Sequence, residues 1–545
     1  VGLKFLFNRR CRAAKLKHLL EEYDMSNLES ISVYKPIGWN FNSLANSKTP
    51  KYQNRKVEQI THFVSMMLTK NLYQKKPFNT PVNLHTDVLR GMYGRRVKEE
   101  IIDPLTKAKL LQVQDTYSAG NFSKSYALRL EGYTRLEQVT LVDELLIERI
   151  NGISKRRTDT VLKNYPESQI IYHSLTRTSV DYYPCLNAIN KKFNVSFLQE
   201  LRTHLIERYG VDGADSLHNL LIKANAYKGD FKRTLKSQIK RKYNLTADEL
   251  NKLMMYTTWF TTHQTYLVHL NKWRELSNAD IENKKNHIWF KTDKSGRVHH
   301  NATSTPKIIR QHLRLEDEEF VEIDASNSQW FMLVAYLRKA EEETVQHILY
   351  NHIKNRKGKG RRGETQPPKP HHLMLDTFYK ELDRLQSLLE KGAFRKVMTL
   401  KVSQLQNTPV AEGDVKGLLL KRILFEDPDK AYMKNEPIVQ VFKDAFPTLY
   451  KAIVSLKKGG IDYTVYGYNE KNSYKALAVE LQRMESEVFI RGVHKHLDGV
   501  LRLSIHDALL LRKKDVKRGL DALQIACKDK WGINLKVTLS NYQKG

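Results

Sequence analysis

The chain has 545 residues, enough for several domains, and its 91 lysines and arginines against 60 acids give a formal net charge of +31. An excess of that size favours a polyanionic partner, nucleic acid first, and the lack of any apolar run approaching about 18 residues argues against membrane binding. The basic N-terminus has no signal-peptide pattern, and Cys11, Cys185 and Cys527 are too scattered for a disulfide framework or a zinc site, so a reducing cytoplasm is expected.

Residues 1–75 are basic and mixed in pattern, and no chemistry is assigned to them. Over 83–130, the spacing predicts a short helix at about 86–93, a turn at Gly94, and a longer helix at about 95–111. Val97, Ile101, Ile102, Leu105 and Leu110 face inward in that second helix, and Pro104 interrupts it. Two short strands then flank SAGNFSKS, a hairpin tip carrying Lys124. Helix, turn, helix and hairpin resemble a winged helix. The resemblance implies a duplex-DNA-binding domain over 76–135 that folds on its own. Arg95, Arg96 and Lys98 would lie on the groove helix and Lys124 on the wing. A small basic packing domain is the alternative.

From 136 to 285 the pattern is almost wholly helical, with a basic run, Lys232, Arg233, Lys236, Lys240, Arg241 and Lys242, ending at Tyr243. Residues 354–372, KNRKGKGRRGETQPPKPHH, have six basic residues in the first nine and enough Gly and Pro to prevent regular structure. A mobile surface loop is expected there, tracking a phosphate backbone or merely solvated.

Two acids stand out. In FVEIDASNSQWFMLVAYL, residues 320–337, an alternating apolar strand ends at Asp324, a small polar turn follows, and apolar residues then recur at helical spacing. In LRLSIHDALLLRKKDV, residues 501–516, two strands flank His506 and Asp507 at a tight turn. A lone strand-end aspartate is more often a helix cap. Two carboxylates on adjacent strands at one sheet edge form a site for divalent metal, and hard oxygen ligands suit Mg²⁺, as in two-metal phosphoryl transfer.

These segments resemble the palm motifs of family A polymerases, which include bacterial DNA polymerase I and the single-subunit phage and mitochondrial RNA polymerases. ALAVELQRMESEVFIRGVHKHLDG is similar to the family's long palm helix, and DKSGRVHHNATSTPKIIR to the segment gripping the template-primer duplex. The resemblance implies an α+β, mostly helical right hand, with palm and fingers over 286–545 and a thumb-like region over 136–285. Asp324, Asp507 and the Ala325 carbonyl would hold two Mg²⁺ ions, with Mn²⁺ able to substitute. Arg297, Gln482 and His506 would contact primer-template. In the fingers, EGDVKGLLLKRILFED puts Lys416 at the family's lysine, but Glu412 stands where arginine is expected and Phe425 falls one residue late. Lys421 or Arg422 would then supply the missing charge; GAFRKVMTLK, with Arg395 and Lys401, is a rival segment. Gln329, five residues after Asp324, takes the position that governs sugar choice, and its bulk favours dNTPs over NTPs. No acid pair of a proofreading exonuclease stands out.

The implied function is a DNA-templated DNA polymerase of a bacterial mobile element or phage, nucleoid- or plasmid-associated, using primer-template and dNTPs. A single-subunit RNA polymerase or primase is the alternative. A non-catalytic replication initiator or regulator represents a different class.

Overall fold

The computed structural model describes residues 31–45, 49–73, 78–114, 124–130, 136–226, 229–354 and 372–541. The fold is mostly helical α+β, with antiparallel strand pairing throughout the described sheets. It divides into two compact units, one formed by residues up to Ile153 and Phe193–Thr265, the other by Ser154–Lys192 and the chain from Tyr266 on. No helix among the described residues is long and apolar enough to cross a membrane.

In the first unit β1 (Ile31–Pro36) pairs with β5 (Leu136–Leu141), Ile31 opposite Leu141 and Pro36 opposite Leu136. Between them the helix Pro50–Tyr73 buries Ile60, Phe63, Val64, Met67 and Leu68, a stripe at i, i+3, i+4, i+7 and i+8. Next come β2 (Val82–Asn83), the helix Thr86–Tyr93, a π-helical turn Lys98–Ile102 continuing into the helix Asp103–Lys107, β3 (Leu111–Gln114) and β4 (Ser125–Leu128). The three short strands form a sheet in the order β2–β4–β3. Gly94 ends the first short helix at φ 97°, a conformation that favours glycine. The expected helix over 95–111 is shorter than the pattern suggested: it stops at Lys107, and Leu111 already belongs to β3. Pro104 lacks the N–H that would close on the carbonyl four residues back, which accounts for the wider turn just before it.

The domain boundaries expected at 75/76 and 135/136 both run through one apolar core. Phe63, Met67 and Leu68 pack in the same cluster as Leu89, Ile101, Leu105, Tyr126, Leu128, Leu141 and Leu146. Residues 83–130 thus share their apolar cluster with the helix Pro50–Tyr73 and with β5. The hairpin tip, 115–123, lies outside the described residues, as does the basic segment 355–371. The helices Val195–Ala226 and Gly229–Lys242 and the start of Ala247–Asn278 enclose a second cluster built on Leu217, Leu221, Leu235, Ile239 and Leu250.

The second unit is organised around an antiparallel sheet. Its strands are β6 (Thr178–Val180), β9 (Leu313–Leu315), β10 (Glu318–Ala325), β11 (Leu503–Ile505), β12 (Ala508–Arg512) and β13 (Val537–Asn541), with β7 (Phe290–Thr292) and β8 (Val298–His300) forming a separate hairpin. The order is β11–β12–β10–β9–β6, and β13 also pairs with β10. The edge strand β6 comes from the stretch expected to be almost wholly helical and from before the boundary expected at 286. After β10 the helix Ser328–Lys339 is apolar nearly all round and buried accordingly, with Trp330, Phe331, Leu333 and Val334 in a core shared with Phe378, Phe394, Phe442 and Leu481. The helix Val516–Trp531 covers the sheet at Gly519, where a Cβ would come within 2.2 Å of Leu511 Cδ1 and 3.0 Å of Ile323 Cδ1. A larger residue there would have to displace the Leu511 and Ile323 side-chain tips, which lie on β12 and β10 below the two acids.

Candidate active site

Strand register sets the site. On β10 and β12, Asp324 stands opposite Ala508 and Ile323 opposite Leu509, so Ile323 enters the core while the strand end projects Asp324. Ile505 pairs with Ala508, leaving His506 and Asp507 as the two turn residues of the β11–β12 hairpin. His506 holds a left-handed backbone, φ 55°, which is uncommon for a residue with a side chain. The Ala325 N–H donates to the Asp507 carbonyl at 2.9 Å and ties the hairpin tip to the end of β10. This N–H, rather than the Ala325 carbonyl, is the group that the described contacts link to Asp507.

The electrostatics follow from this crowding. Burial first, and the Asp507 carboxylate second, push the Asp324 carboxyl up to about 6, while Lys416 and Lys307 pull it back. Lys416 lies on the helix Glu412–Leu418, so one candidate nucleotide-binding residue is within electrostatic reach of the acid pair.

A third carboxylate adjoins them. Glu485, on the helix Lys475–Ser486, has no exposed surface. Its carboxylate accepts from the Arg297 guanidinium and from the Ser328 hydroxyl, and Ser328 Oγ is also 3.2 Å from Asp507 Oδ2. Burial pushes the Glu485 carboxyl up, and Arg297 opposes that shift. The His506 imidazole is pushed down to about 4 by burial, with Arg297 and His299 adding to the effect. Its ring centroid is 5.5 Å from that of His299, whose Nε2 lies 2.8 Å from Asp293 Oδ2.

The other expected site residues divide. Gln482 is half-buried one helical turn before Glu485. Gln329 is buried, and neither its Oε1 nor its Nε2 has a hydrogen-bond partner among the described residues. Arg422 pairs with Glu426, lies 3.3 Å from Glu436, and sits over the Tyr432 ring at 4.8 Å. Three partners of its own loop already claim that guanidinium. Phe425 packs partly buried on the core, and Lys421 is exposed. From the rival segment, Arg395 comes within 3.9 Å of Glu412, and Lys401 is exposed. In the first unit Arg95, Arg96 and Lys98 are exposed, Arg96 lying 3.8 Å from Glu100, and the Lys124 carbonyl accepts from Leu84 N–H at 3.1 Å.

Glu485, Ser328 and Lys307 were missed by sequence reasoning. One signal was available. Leu477, Leu481, Met484 and Val488 mark the inward face of the long helix, and Glu485 occupies that same face. An acid at a core position of an apolar repeat needs a partner.

Among the described residues no group of three or more His, Cys, Asp or Glu side chains is arranged to hold a metal ion. Asp324 and Asp507 nevertheless fit a hard cation: the Asp507 carboxylate helps push the Asp324 carboxyl up, and Mg²⁺ is commonly held by one or two carboxylates with substrate oxygens completing the shell.

No family model and no curated protein matches the chain. Among solved structures, the POL domain of Pol1 from M. smegmatis in complex with DNA primer-template and dNTP is similar at TM-score 0.36 and 11% identity, over 87% of this chain and 81% of that chain.

Proposed function

We propose that the chain is a nucleotidyltransferase that extends a primer on a nucleic-acid template, a DNA polymerase of the family A type from a bacterial mobile element or phage. The observation that carries this reading is the juxtaposition of Asp324 and Asp507 at one edge of an antiparallel sheet, with the Asp324 carboxyl pushed up to about 6 by burial and by the Asp507 carboxylate. Two partly buried carboxylates drawn together are costly and suit a cation-binding role.

The two aspartates would hold the divalent ions, Mg²⁺ or Mn²⁺. When bound, these ions acidify the primer hydroxyl and neutralise charge on the leaving pyrophosphate. Lys416 offsets negative charge on the triphosphate as it approaches the acids. Gln329 limits the space beneath the incoming sugar. His506 is neutral at physiological pH, so it contacts the primer as a hydrogen-bonding group and not as a cation. Arg297 and Gln482 complete the primer-template surface. Arg95, Arg96, Lys98 and Lys124 bind duplex phosphates through the winged-helix-like part.

A second reading, RNA synthesis, is favoured by one observation. Among the described residues the buried Gln329 amide finds no partner for its donor or its acceptor, which a ribose 2′-hydroxyl could satisfy. Primer extension on DNA and RNA templates with dNTPs or NTPs separates the two. Preferential dNTP incorporation is expected; equal use of ATP and dATP moves the assignment to an RNA polymerase or primase.

A further inference from the structure

Glu485 has no place in the chemistry described so far, yet it is the most deeply buried acid beside the pair, on a helix face otherwise made of Leu477, Leu481, Met484 and Val488. A leucine there would fill the space without the cost of desolvating a charge. The acid instead draws together two donors from separate elements, Arg297 ahead of β8 and Ser328 at the start of the helix after β10. Ser328 Oγ in turn lies 3.2 Å from Asp507 Oδ2.

We propose that Glu485 is a positioning residue for the acid pair, using the Ser328 hydroxyl to govern how Asp507 presents its Oδ2 to a divalent cation; this rests on the reading of Asp324 and Asp507 as cation ligands. A serine hydroxyl has one hydrogen and here lies between two carboxylates. While Glu485 is a carboxylate it can take that hydrogen, leaving Asp507 Oδ2 free for a cation. A glutamine at 485 would accept from Arg297 through its carbonyl and donate its own N–H to Ser328 Oγ. The serine hydrogen would then turn wholly to Asp507 Oδ2 and compete with the cation for that oxygen.

The test is Mn²⁺ binding to the full-length chain without substrate, followed by the electron paramagnetic resonance signal of free Mn²⁺. Glu485→Gln is expected to weaken binding about tenfold, in line with other changes to groups that orient metal ligands. Ser328→Ala, which removes the competing hydrogen, should bind within about threefold of wild type. The Ser328→Ala/Glu485→Gln double variant should match Ser328→Ala. Loss of a nearby negative charge acting through space would instead persist undiminished on the Ser328→Ala background, and that result overturns the proposal, as does wild-type affinity in Glu485→Gln. If Glu485→Gln does not fold, Glu485→Asp takes its place: it keeps the charge but withdraws it from Ser328, and its smaller deficit should also vanish on Ser328→Ala. Absence of Mn²⁺ binding in wild type sinks the reading of the acid pair itself. Binding that is lost in Asp507→Asn but indifferent to Glu485 sinks only the present proposal.

Discussion

In the unit built on β10 and β12, charge lies inside: Glu485 has no exposed surface, and Asp324 is pushed up to about 6 beside a second carboxylate. In the unit built on β2, β3 and β4, the cations of interest lie outside, Arg95, Arg96 and Lys98 all exposed, with Arg96 holding Glu100 at a loose 3.8 Å. Buried, mutually unfavourable charge costs free energy that a bound cation or ligand returns, so it marks a place for chemistry. Exposed cations cost little and act through the long-range field, which salt screens, so they mark a place for adhesion. On the function proposed above, one +31 chain uses charge in two ways, and each should be open to perturbation without the other.

The largest separation is expected at Lys416. Lys416→Ala should lower kcat/KM for dNTP about a hundredfold while primer-template affinity stays unchanged; an equal loss of DNA affinity would place this lysine with the adhesive cations. Gln329→Gly should shift the dATP-over-ATP ratio of kcat/KM by about tenfold to 200-fold toward ATP. Gln329→Met, which removes the buried amide at similar volume, should raise stability toward urea by about 1–3 kcal/mol. On the adhesive side, the Arg95→Ala/Arg96→Ala/Lys98→Ala variant should flatten the plot of log duplex affinity against log salt by about 2 to 3 units of slope, with extension of a short primer-template at low salt retained. A triple variant whose salt slope is unchanged would leave only a packing role for this region.

The smallest expected effect is a pH dependence. Asp324 keeps its proton in the fold up to about 6, whereas the unfolded chain releases it near 3.8. Its contribution to stability is therefore full below 3.8 and is lost as pH rises through about 6. Buried histidines such as His506, pushed down to about 4, act in the opposite sense over the same range, so the effect is read as a difference: the stability of metal-free wild type relative to Asp324→Asn should fall across that interval, and saturating Mg²⁺ should offset the fall above pH 6.

Local pattern made part of this legible. Alternation marks β10, β11 and β12, and the turn chemistry at residues 506–507 places Asp507 at a hairpin tip. The helix Thr86–Tyr93 and its stop at Gly94 follow from spacing and glycine in the same way. The Pro50–Tyr73 helix was equally periodic, but its stripe was obscured by the basic residues around it. The edge strand β6 has only three residues, too few for alternation to register, and its partner β9 lies more than a hundred residues away in sequence. Distance in sequence also hid the Arg297–Glu485 pair, separated by 188 positions, for which the inward-facing acid was the only hint. The engagement of Arg422 was half visible, since Glu426 lies one turn along, whereas Glu436 reaches it only through the fold.

The claim that the carboxylates of Asp324 and Asp507 act together in nucleotide transfer is tested most directly by primer extension with Mg²⁺, comparing wild type with Asp324→Asn and Asp507→Asn. Nucleotide addition by wild type is expected to fall on the order of a thousandfold in each variant while both still bind primer-template. Extension by either single variant at near the wild-type rate would contradict the account.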